Sequence, residues 1–151
     1  MGIQERLDDW ADHHRGFFFD LVRIYLGIGL FVKGIYFIKN PDYLTHLIDE
    51  SENLWFLPAA AAHYVIVAHL VGGLLIAIGF LTRIAALVQI PILIGAVFYV
   101  NMPKMITIEP RQNFEFSALV LFLLVLIAVR GGGPLSLDAR IFAREPRMVK
   151  V

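Results

Sequence analysis

The length, composition and charge of this chain indicate a small integral membrane protein. Its 151 residues suffice for one domain, and 58% of them are hydrophobic, which exceeds the level of an ordinary soluble domain. Thirteen basic residues balance thirteen acidic ones, so no overall field attracts nucleic acid. The absence of cysteine excludes thiol, iron–sulfur and cysteine–zinc chemistry carried by this chain alone.

Four apolar segments predict transmembrane helices at 17–38, 60–81, 84–102 and 114–129. Each is close to the length of about 20 residues that an α-helix needs to cross a hydrocarbon core. The segment ends at 74–81 and 119–129 are apolar on every face, whereas a core helix of a soluble protein keeps a polar face. The predicted fold class is therefore all-α, an integral membrane four-helix bundle in a single domain over 1–151.

The connections between these segments fit a bundle. Only Thr82 and Arg83 separate the second segment from the third, which predicts a tight hairpin between antiparallel neighbours. The first loop carries an amphipathic stretch at 41–56, which we expect to lie along the lipid headgroups on the outer side. After the fourth segment, Gly131-Gly132-Gly133-Pro134 ends the helix, and the basic tail at 130–151 is expected to rest on anionic lipid.

The distribution of lysine and arginine predicts the orientation. Basic residues concentrate on the side that holds the N-terminus, the second loop and the tail, and the positive-inside rule places that side in the cytoplasm. We therefore expect a multi-pass protein of the plasma (inner) membrane with both termini cytoplasmic. The cytoplasmic set is Arg6, Arg15, Arg83, Arg130, Arg140, Arg144, Arg147 and Lys150, and the opposite set is Lys39, Lys104 and Arg111.

Polar side chains inside the segments are the candidate site residues, because a charge in hydrocarbon is costly unless it is paired or hydrated. With the first segment running outward and the fourth inward, Lys33 lies about 7 Å inside the outer boundary, near the depth of Glu115. We expect these two side chains to be able to meet. The outer half holds the candidates for ligand binding or proton transfer, which are Lys33, His69, Glu115, His63, Asn101 and Asn113.

A second, inner polar layer is predicted nearer the cytoplasmic side. Arg23 and Gln89 lie at similar depth there, with Asp20 one helical turn from Arg23. Small residues on the same helical stripes let helix backbones approach closely, so these stripes are expected to face the bundle interior. The predicted helix-packing residues are Gly27, Gly34, Gly72 and Gly73.

Each polar side chain also has a structural interpretation, and both interpretations stay open. Lys33 could extend to the outer headgroups, and Glu115 could stabilise the N-terminus of its helix. Arg23 and Asp20 could form only a structural ion pair, and Gln89 could form an interhelical hydrogen bond.

The two histidines of the second segment argue against a metal or haem site. About 240° separates His63 from His69 around the helix, so the two cannot coordinate the same ion. His69 lies near mid-depth beside the Gly72-Gly73 pair. It is either a proton-transfer or ligand-contact residue or a hydrogen-bonded packing residue.

Motifs along most of the chain resemble a known family. The first segment reads Arg23-x3-Gly27-x6-Gly34, and the hairpin reads Gly72-Gly73-Leu74-x4-Gly79-Phe80-Leu81-Thr82-Arg83. The fourth segment opens with Asn113-Phe114-Glu115, and the tail reads Gly133-Pro134-Leu135-Ser136-Leu137-Asp138. In order and spacing these motifs resemble the DoxX-like family of small four-helix membrane proteins, over 17–142.

The resemblance implies a role beside redox enzymes. Relatives are associated with thiosulfate:quinone oxidoreductase and with membrane complexes that connect thiol or sulfur redox partners to the respiratory chain. The family pattern usually has the same residues at the positions of Arg23, Glu115 and the Gly72-Gly73 pair. Lys33 and His69 instead replace a histidine and a glutamate that relatives often carry, which favours a ligand other than a sulfur substrate.

We therefore predict a subunit or accessory of a membrane-associated oxidoreductase system that binds a quinone or another small lipophilic ligand within the bundle. Lys33 and His69 would provide the donor and proton source that a quinone carbonyl needs, with Glu115 tuning Lys33. The alternative is a non-catalytic membrane scaffold or accessory subunit, and a small transporter is a weaker one. The expected partners are the lipid bilayer, membrane or redox proteins and further copies in a homo-oligomer. Catalysis by this chain itself stays open.

Overall fold

The computed structural model describes the backbone of residues 3–43, 57–102 and 108–142, and the side chains of 16–43, 60–102 and 112–142. In these ranges the chain is almost entirely helical. The helices are α1 (Ile3–Lys39), α2 (Leu57–Val67), α3 (Gly73–Ile78), α4 (Thr82–Gly95), α5 (Ile108–Arg130) and α6 (Leu137–Ile141). A π-helical turn at Ala68–Gly72 joins α2 to α3, and a second one at Ala96–Asn101 extends α4.

Within the described ranges, four helical stretches are long and apolar enough to cross a membrane. We name them the first to fourth spans, and they are Gly16–Lys39, Ala60–Ile78, Thr82–Asn101 and Gln112–Arg130. The predicted all-α bundle with four membrane helices is thereby confirmed. The end of the bundle that carries the turn between the second and third spans is named the hairpin end, and the opposite end is the loop end.

The turn between the second and third spans lies earlier than the sequence pattern predicts. The second span ends at Ile78 because Gly79 adopts a φ of +74°, a left-handed conformation that ends helices and suits glycine. Thr82 and Arg83, predicted to be the connection, are the first residues of the third span. Residues 79–81 therefore form the turn.

Other predicted boundaries shift less or fall outside the described chain. The first helix begins at Ile3 and so includes most of the polar N-terminal stretch ahead of the apolar segment predicted at 17–38. The fourth span is longer by a few residues than the predicted 114–129. Most of the predicted amphipathic loop, residues 44–56, and the end of the tail, residues 143–151, lie outside the described residues.

The spans pack in chain order around an apolar core. The first packs along the second, the second against the third and the third along the fourth, whereas the first has few contacts with the fourth. The buried core residues are Leu26, Leu30, Ile76, Ala85, Ala86, Leu93, Val120, Leu124 and Ile127. Large apolar side chains are also exposed on the outer faces of all four spans, as expected where lipid rather than water is the solvent.

Glycines allow the first and second spans to meet backbone to backbone. A Cβ atom added at Gly27 would lie 2.7 Å from the Cα of Ala77, and one at Gly73 would lie 2.6 Å from the backbone nitrogen of Phe31. Backbone atoms cannot move aside as a flexible side chain can. The close approach of these two spans therefore depends on small residues, as is usual between helices in a bilayer.

Candidate functional site

A buried ion pair lies at the hairpin end, between the first and second spans. Asp20 and Arg23 are both 0% exposed, and Arg23 Nε and Nη2 donate to Asp20 Oδ1 at 3.3 and 3.1 Å. Arg23 Nη1 donates to the carbonyl oxygens of Ile76 and Ala77 at 2.6 and 2.8 Å. These carbonyls lie at the end of α3, where the Ile76 carbonyl also accepts from the Gly79 N–H at 3.2 Å and where the helix dipole favours a positive charge. Arg23 thus joins the first span to the end of the second.

The same aspartate also fixes the segment that follows the fourth span. Asp20 Oδ2 accepts a hydrogen bond from the backbone N–H of Leu135 at 2.8 Å. Gly133 lies against the Asp20 carboxylate so closely that a side chain at this position would meet Asp20 Oδ1. A single buried carboxylate therefore contacts two parts of the chain that are more than one hundred residues apart in sequence.

A second carboxylate, that of Asp138, holds the turn between the second and third spans. Its Oδ1 accepts from the N–H of Leu81 at 2.8 Å, and its Oδ2 accepts from the N–H and the hydroxyl of Thr82 at 2.9 and 2.8 Å. The Asp138 N–H donates in turn to the Gly79 carbonyl at 2.9 Å. These bonds hold Leu81 at a φ of +46°, a region that a bulky residue rarely occupies. Asp138 thereby caps the N-terminus of α4, although it belongs to the segment after the fourth span.

The pKa of Asp138 reflects these contacts. Partial burial raises the pKa, but hydrogen bonds from Thr82 and Leu81, together with the positive charge of Arg23, lower it by more. The pKa of this carboxyl in the folded protein is therefore below its ordinary value of 3.8. Asp138 consequently stabilises the fold above its unfolded-state pKa, and this contribution is lost as the pH falls through the folded-state pKa.

Asp138→Asn is expected to lower the free energy of unfolding by about 0.5–2 kcal/mol at neutral pH, because the charged cap of α4 is lost. The difference between wild type and variant should begin to shrink as the pH falls below 3.8, the ordinary pKa of the carboxyl, toward its lower pKa in the folded protein. Denaturation of both proteins in the same detergent at pH 7 and pH 3.5 measures this. A difference that stays constant between the two pH values would contradict the assigned role.

Gln89 lies deeper in the bundle, on the third span. Its side chain is 0% exposed, and within the described residues neither Nε2 nor Oε1 has a hydrogen-bond partner. The amide packs against Gly72, where an added Cβ would lie 3.1 Å from Nε2. The interhelical hydrogen bond considered from the sequence is therefore not made among the described residues.

The loop end carries a cluster of a different kind, in which three aromatic rings lie beside Lys33. Its ammonium lies 5.2 Å from the ring centroids of Tyr36 and Phe37 and 5.7 Å from that of Tyr43. Phe37 stacks on Tyr43 and presents an edge-to-face contact to His69, with centroids 5.3 Å apart. Lys33, Tyr36, Phe37, Tyr43 and His69 together are named the aromatic–lysine cluster.

The geometry of His69 fixes which of its ring nitrogens carries the proton. The imidazole is 5% exposed and belongs to the π-helical turn Ala68–Gly72, a local irregularity that is frequent at functional sites. Nδ1 lies 2.8 Å from the carbonyl oxygen of Val65. Because a carbonyl can only accept, Nδ1 is the donor, and Nε2 of the neutral ring is an acceptor.

The structure brings some of the other candidates together and leaves others apart. Lys33 and Glu115 form no ion pair with each other. His63, Asn113 and Glu115 are exposed. Asn101 donates to the Ala96 carbonyl at 2.8 Å and to Ser117 Oγ at 3.2 Å, and so joins the third and fourth spans. The part of the chain that the structure describes contains no group of three or more acidic or histidine side chains that could hold a metal ion.

Several residues of these clusters were not predicted from the sequence as candidate site residues. The three aromatic residues beside Lys33 were not among the candidates, although Tyr36 and Phe37 follow it by three and four positions and so share its helix face. Thr82 and Asp138 were noted only as parts of motifs. The two residues are 56 positions apart, so no local pattern indicates that they meet.

Comparison with known proteins identifies the family to which the chain belongs. The family model described as DoxX matches residues 18–102, which is more than half of the chain and includes Arg23, Lys33, His69 and Gln89. No curated protein and no solved structure matches the chain.

Proposed function

Because the chain belongs to the DoxX family, we propose that it serves a membrane-associated oxidoreductase system by binding a quinone or another small lipophilic molecule at its loop end. The observation that carries this proposal is the aromatic–lysine cluster, in which a cation, three aromatic rings and a histidine from the first span, the second span and the residues after the first span lie together. A site with a few convergent polar groups in apolar walls is the usual form for a ligand of this kind.

The position of Lys33 supports entry of the ligand from the bilayer. Its side chain is exposed on the outer face of the first span, six residues before the end of that span at Lys39, or about 9 Å along the helix axis. Among the described residues no carboxylate lies within ion-pair distance of the ammonium. A cation at this depth, whose contacts within the described residues are aromatic faces, retains donors for a hydrogen-bond acceptor dissolved in the membrane.

The cluster offers polar groups for both the oxidised and the reduced form of a quinone. The Lys33 ammonium can donate to a quinone carbonyl, and the aromatic rings offer faces against which the quinone ring can stack. The Nε2 atom of neutral His69 can accept a proton from a quinol hydroxyl. In this proposal the chain binds the ligand and exchanges a proton with it, while electrons pass to or from a redox partner protein.

Binding of decylubiquinone to the purified protein in mild detergent tests the proposal. We expect a saturable rise in melting temperature, and about tenfold weaker binding for Lys33→Met, since a hydrogen bond to a charged group is lost. Lys39→Met is the matched control, because it removes the same charge from the same helix outside the cluster. Extracts that contain no quinone, together with no melting shift on adding one, would contradict the proposal.

A second candidate function, a non-catalytic scaffold, is favoured by the hairpin end. There the buried polar groups of Asp20 and Arg23 are engaged by the protein itself, which suits a structural role. A scaffold predicts that Lys33→Met and His69→Leu leave a respiratory phenotype unchanged in complemented cells. The quinone site predicts that both variants lose complementation while remaining in the membrane at normal levels.

We further propose that the hairpin end faces the cytoplasm, in the plasma (inner) membrane. The excess of arginine and lysine on that side supports this orientation. Reporter tags fused to the two termini should both indicate the cytoplasmic side. Tags that report opposite sides would overturn this orientation.

A further inference from the structure

A groove of about 510 Å³ lies at the hairpin end, between the start of the third span and the segment after the fourth. Two arginines line it from different helices, Arg83 at the start of the third span and Arg130 at the end of the fourth. The glycine segment Gly131–Gly133 forms another part of its wall. The groove is separate from the aromatic–lysine cluster, which lies at the opposite end of the bundle.

The two arginines are held in place, and neither forms an ion pair with a described residue. The guanidinium of Arg130 lies 4.8 Å from the ring centroid of Phe19, and Arg83 lies along Gly131, where an added Cβ would be 3.1 Å from Arg83 Nε. Across the described residues, neither arginine has a carboxylate within ion-pair distance. Two like charges that border the same groove repel each other, and an anion bound between them would remove this repulsion.

The carboxylate of Asp138, which also lines the groove, does not supply that anion. Both of its oxygens accept hydrogen bonds from Leu81 and Thr82, and these bonds direct its charge toward the N-terminus of α4. Among the described lining residues, Asp138 therefore leaves the donors of Arg83 and Arg130 available to a ligand. Planar guanidinium groups suit phosphate oxygens in particular, since they can donate two parallel hydrogen bonds.

The rim of the groove is apolar and lies at the membrane boundary. Leu81, Ile84 and Phe142 are 38%, 58% and 61% exposed, and all three line the groove. A free phosphate ion would gain nothing from such a rim, whereas a phospholipid would place its headgroup between the arginines and its acyl chains along the apolar residues. We propose that this groove binds the phosphate group of an anionic phospholipid.

Titration of the full-length protein in mild detergent with defined lipids tests this proposal. Phosphatidylglycerol, phosphatidylcholine and inorganic phosphate are added separately, and the melting temperature and the number of retained lipids are measured, the latter by native mass spectrometry. We expect phosphatidylglycerol to bind at least about tenfold more tightly than phosphatidylcholine. Inorganic phosphate at the same concentration should leave the melting temperature unchanged. Equal binding of the two lipids, or equal protection by inorganic phosphate, would overturn the proposal.

Substitution of both arginines locates the site. In Arg83→Gln/Arg130→Gln the preference for phosphatidylglycerol should fall by about tenfold or more, because charge-assisted hydrogen bonds to the phosphate are lost. Arg140→Gln is the matched control, since Arg140 is an exposed arginine of α6 that does not line the groove. An equal loss in Arg140→Gln, or no loss in the double variant, would contradict a discrete site.

Discussion

Arg23→Met is expected to lower the free energy of unfolding by about 3–5 kcal/mol, the usual cost of removing one partner from a buried ion pair. The substitution keeps much of the apolar volume but leaves the Asp20 carboxylate without its positive partner. It also removes the Arg23 donor from the carbonyls of Ile76 and Ala77 at the end of α3. Unfolding by sodium dodecyl sulfate in mixed micelles, followed by circular dichroism, measures the loss.

A double-mutant cycle shows whether the ion pair is the cause. In Asp20→Asn/Arg23→Met the uncompensated carboxylate is gone, so the combined loss should be smaller than the sum of the two single losses. Arg23→Lys should recover only part of the stability, because an ammonium cannot reproduce the fork that contacts Asp20 and two carbonyls at once. Strictly additive losses would show that the two side chains act independently.

This network explains why distant motifs of the sequence belong together. Arg23 comes from the first span, Gly79 and Thr82 from the hairpin, and Asp138 from the tail, and the structure gathers all of them at the hairpin end. The side chains of Arg23 and Asp138 pair with backbone groups at a helix end or a turn, and the backbone N–H of Asp138 pairs with the Gly79 carbonyl. The polar residues at this end therefore fix how the spans and the tail meet.

The membrane helices could be predicted from the sequence because their signal is local. A run of about 20 apolar residues is sufficient to identify a span, whatever its neighbours are. The turn at Gly79 was placed too late, since Phe80 and Leu81 continue the apolar run and hydropathy cannot detect a left-handed backbone. Only the conformational preference of Gly79 indicated that the helix ends there.

The candidate site was harder to predict because it depends on side-chain direction as well as depth. Lys33 and Glu115 were matched by depth alone, yet the first and fourth spans have few contacts, and the Lys33 ammonium lies over aromatic rings instead. Depth along a helix follows from residue number, whereas the order of helices around the bundle does not. His69 was placed at mid-depth from its position along the second segment, but its contact with Phe37 depends on the packing of two spans.

Gly27→Ala and Gly29→Ala are expected to change stability in opposite directions, although the two glycines are two residues apart on the same span. A methyl group at Gly27 would lie 2.7 Å from both the Cα of Ala77 and the carbonyl oxygen of Gly73, so the first and second spans must separate. We expect a loss of about 1–3 kcal/mol, the usual cost of overpacking. A methyl group at Gly29 would meet nothing within 4 Å.

Gly29→Ala therefore isolates the intrinsic preference of alanine for a helix. It should stabilise the protein by about 0.5–1 kcal/mol. Unfolding of both variants under the same detergent conditions gives the comparison. Separation of the spans would also lengthen the path from Arg23 to the carbonyls of Ile76 and Ala77, so Gly27→Ala should reduce the cost of a further Arg23→Met substitution, whereas Gly29→Ala should not.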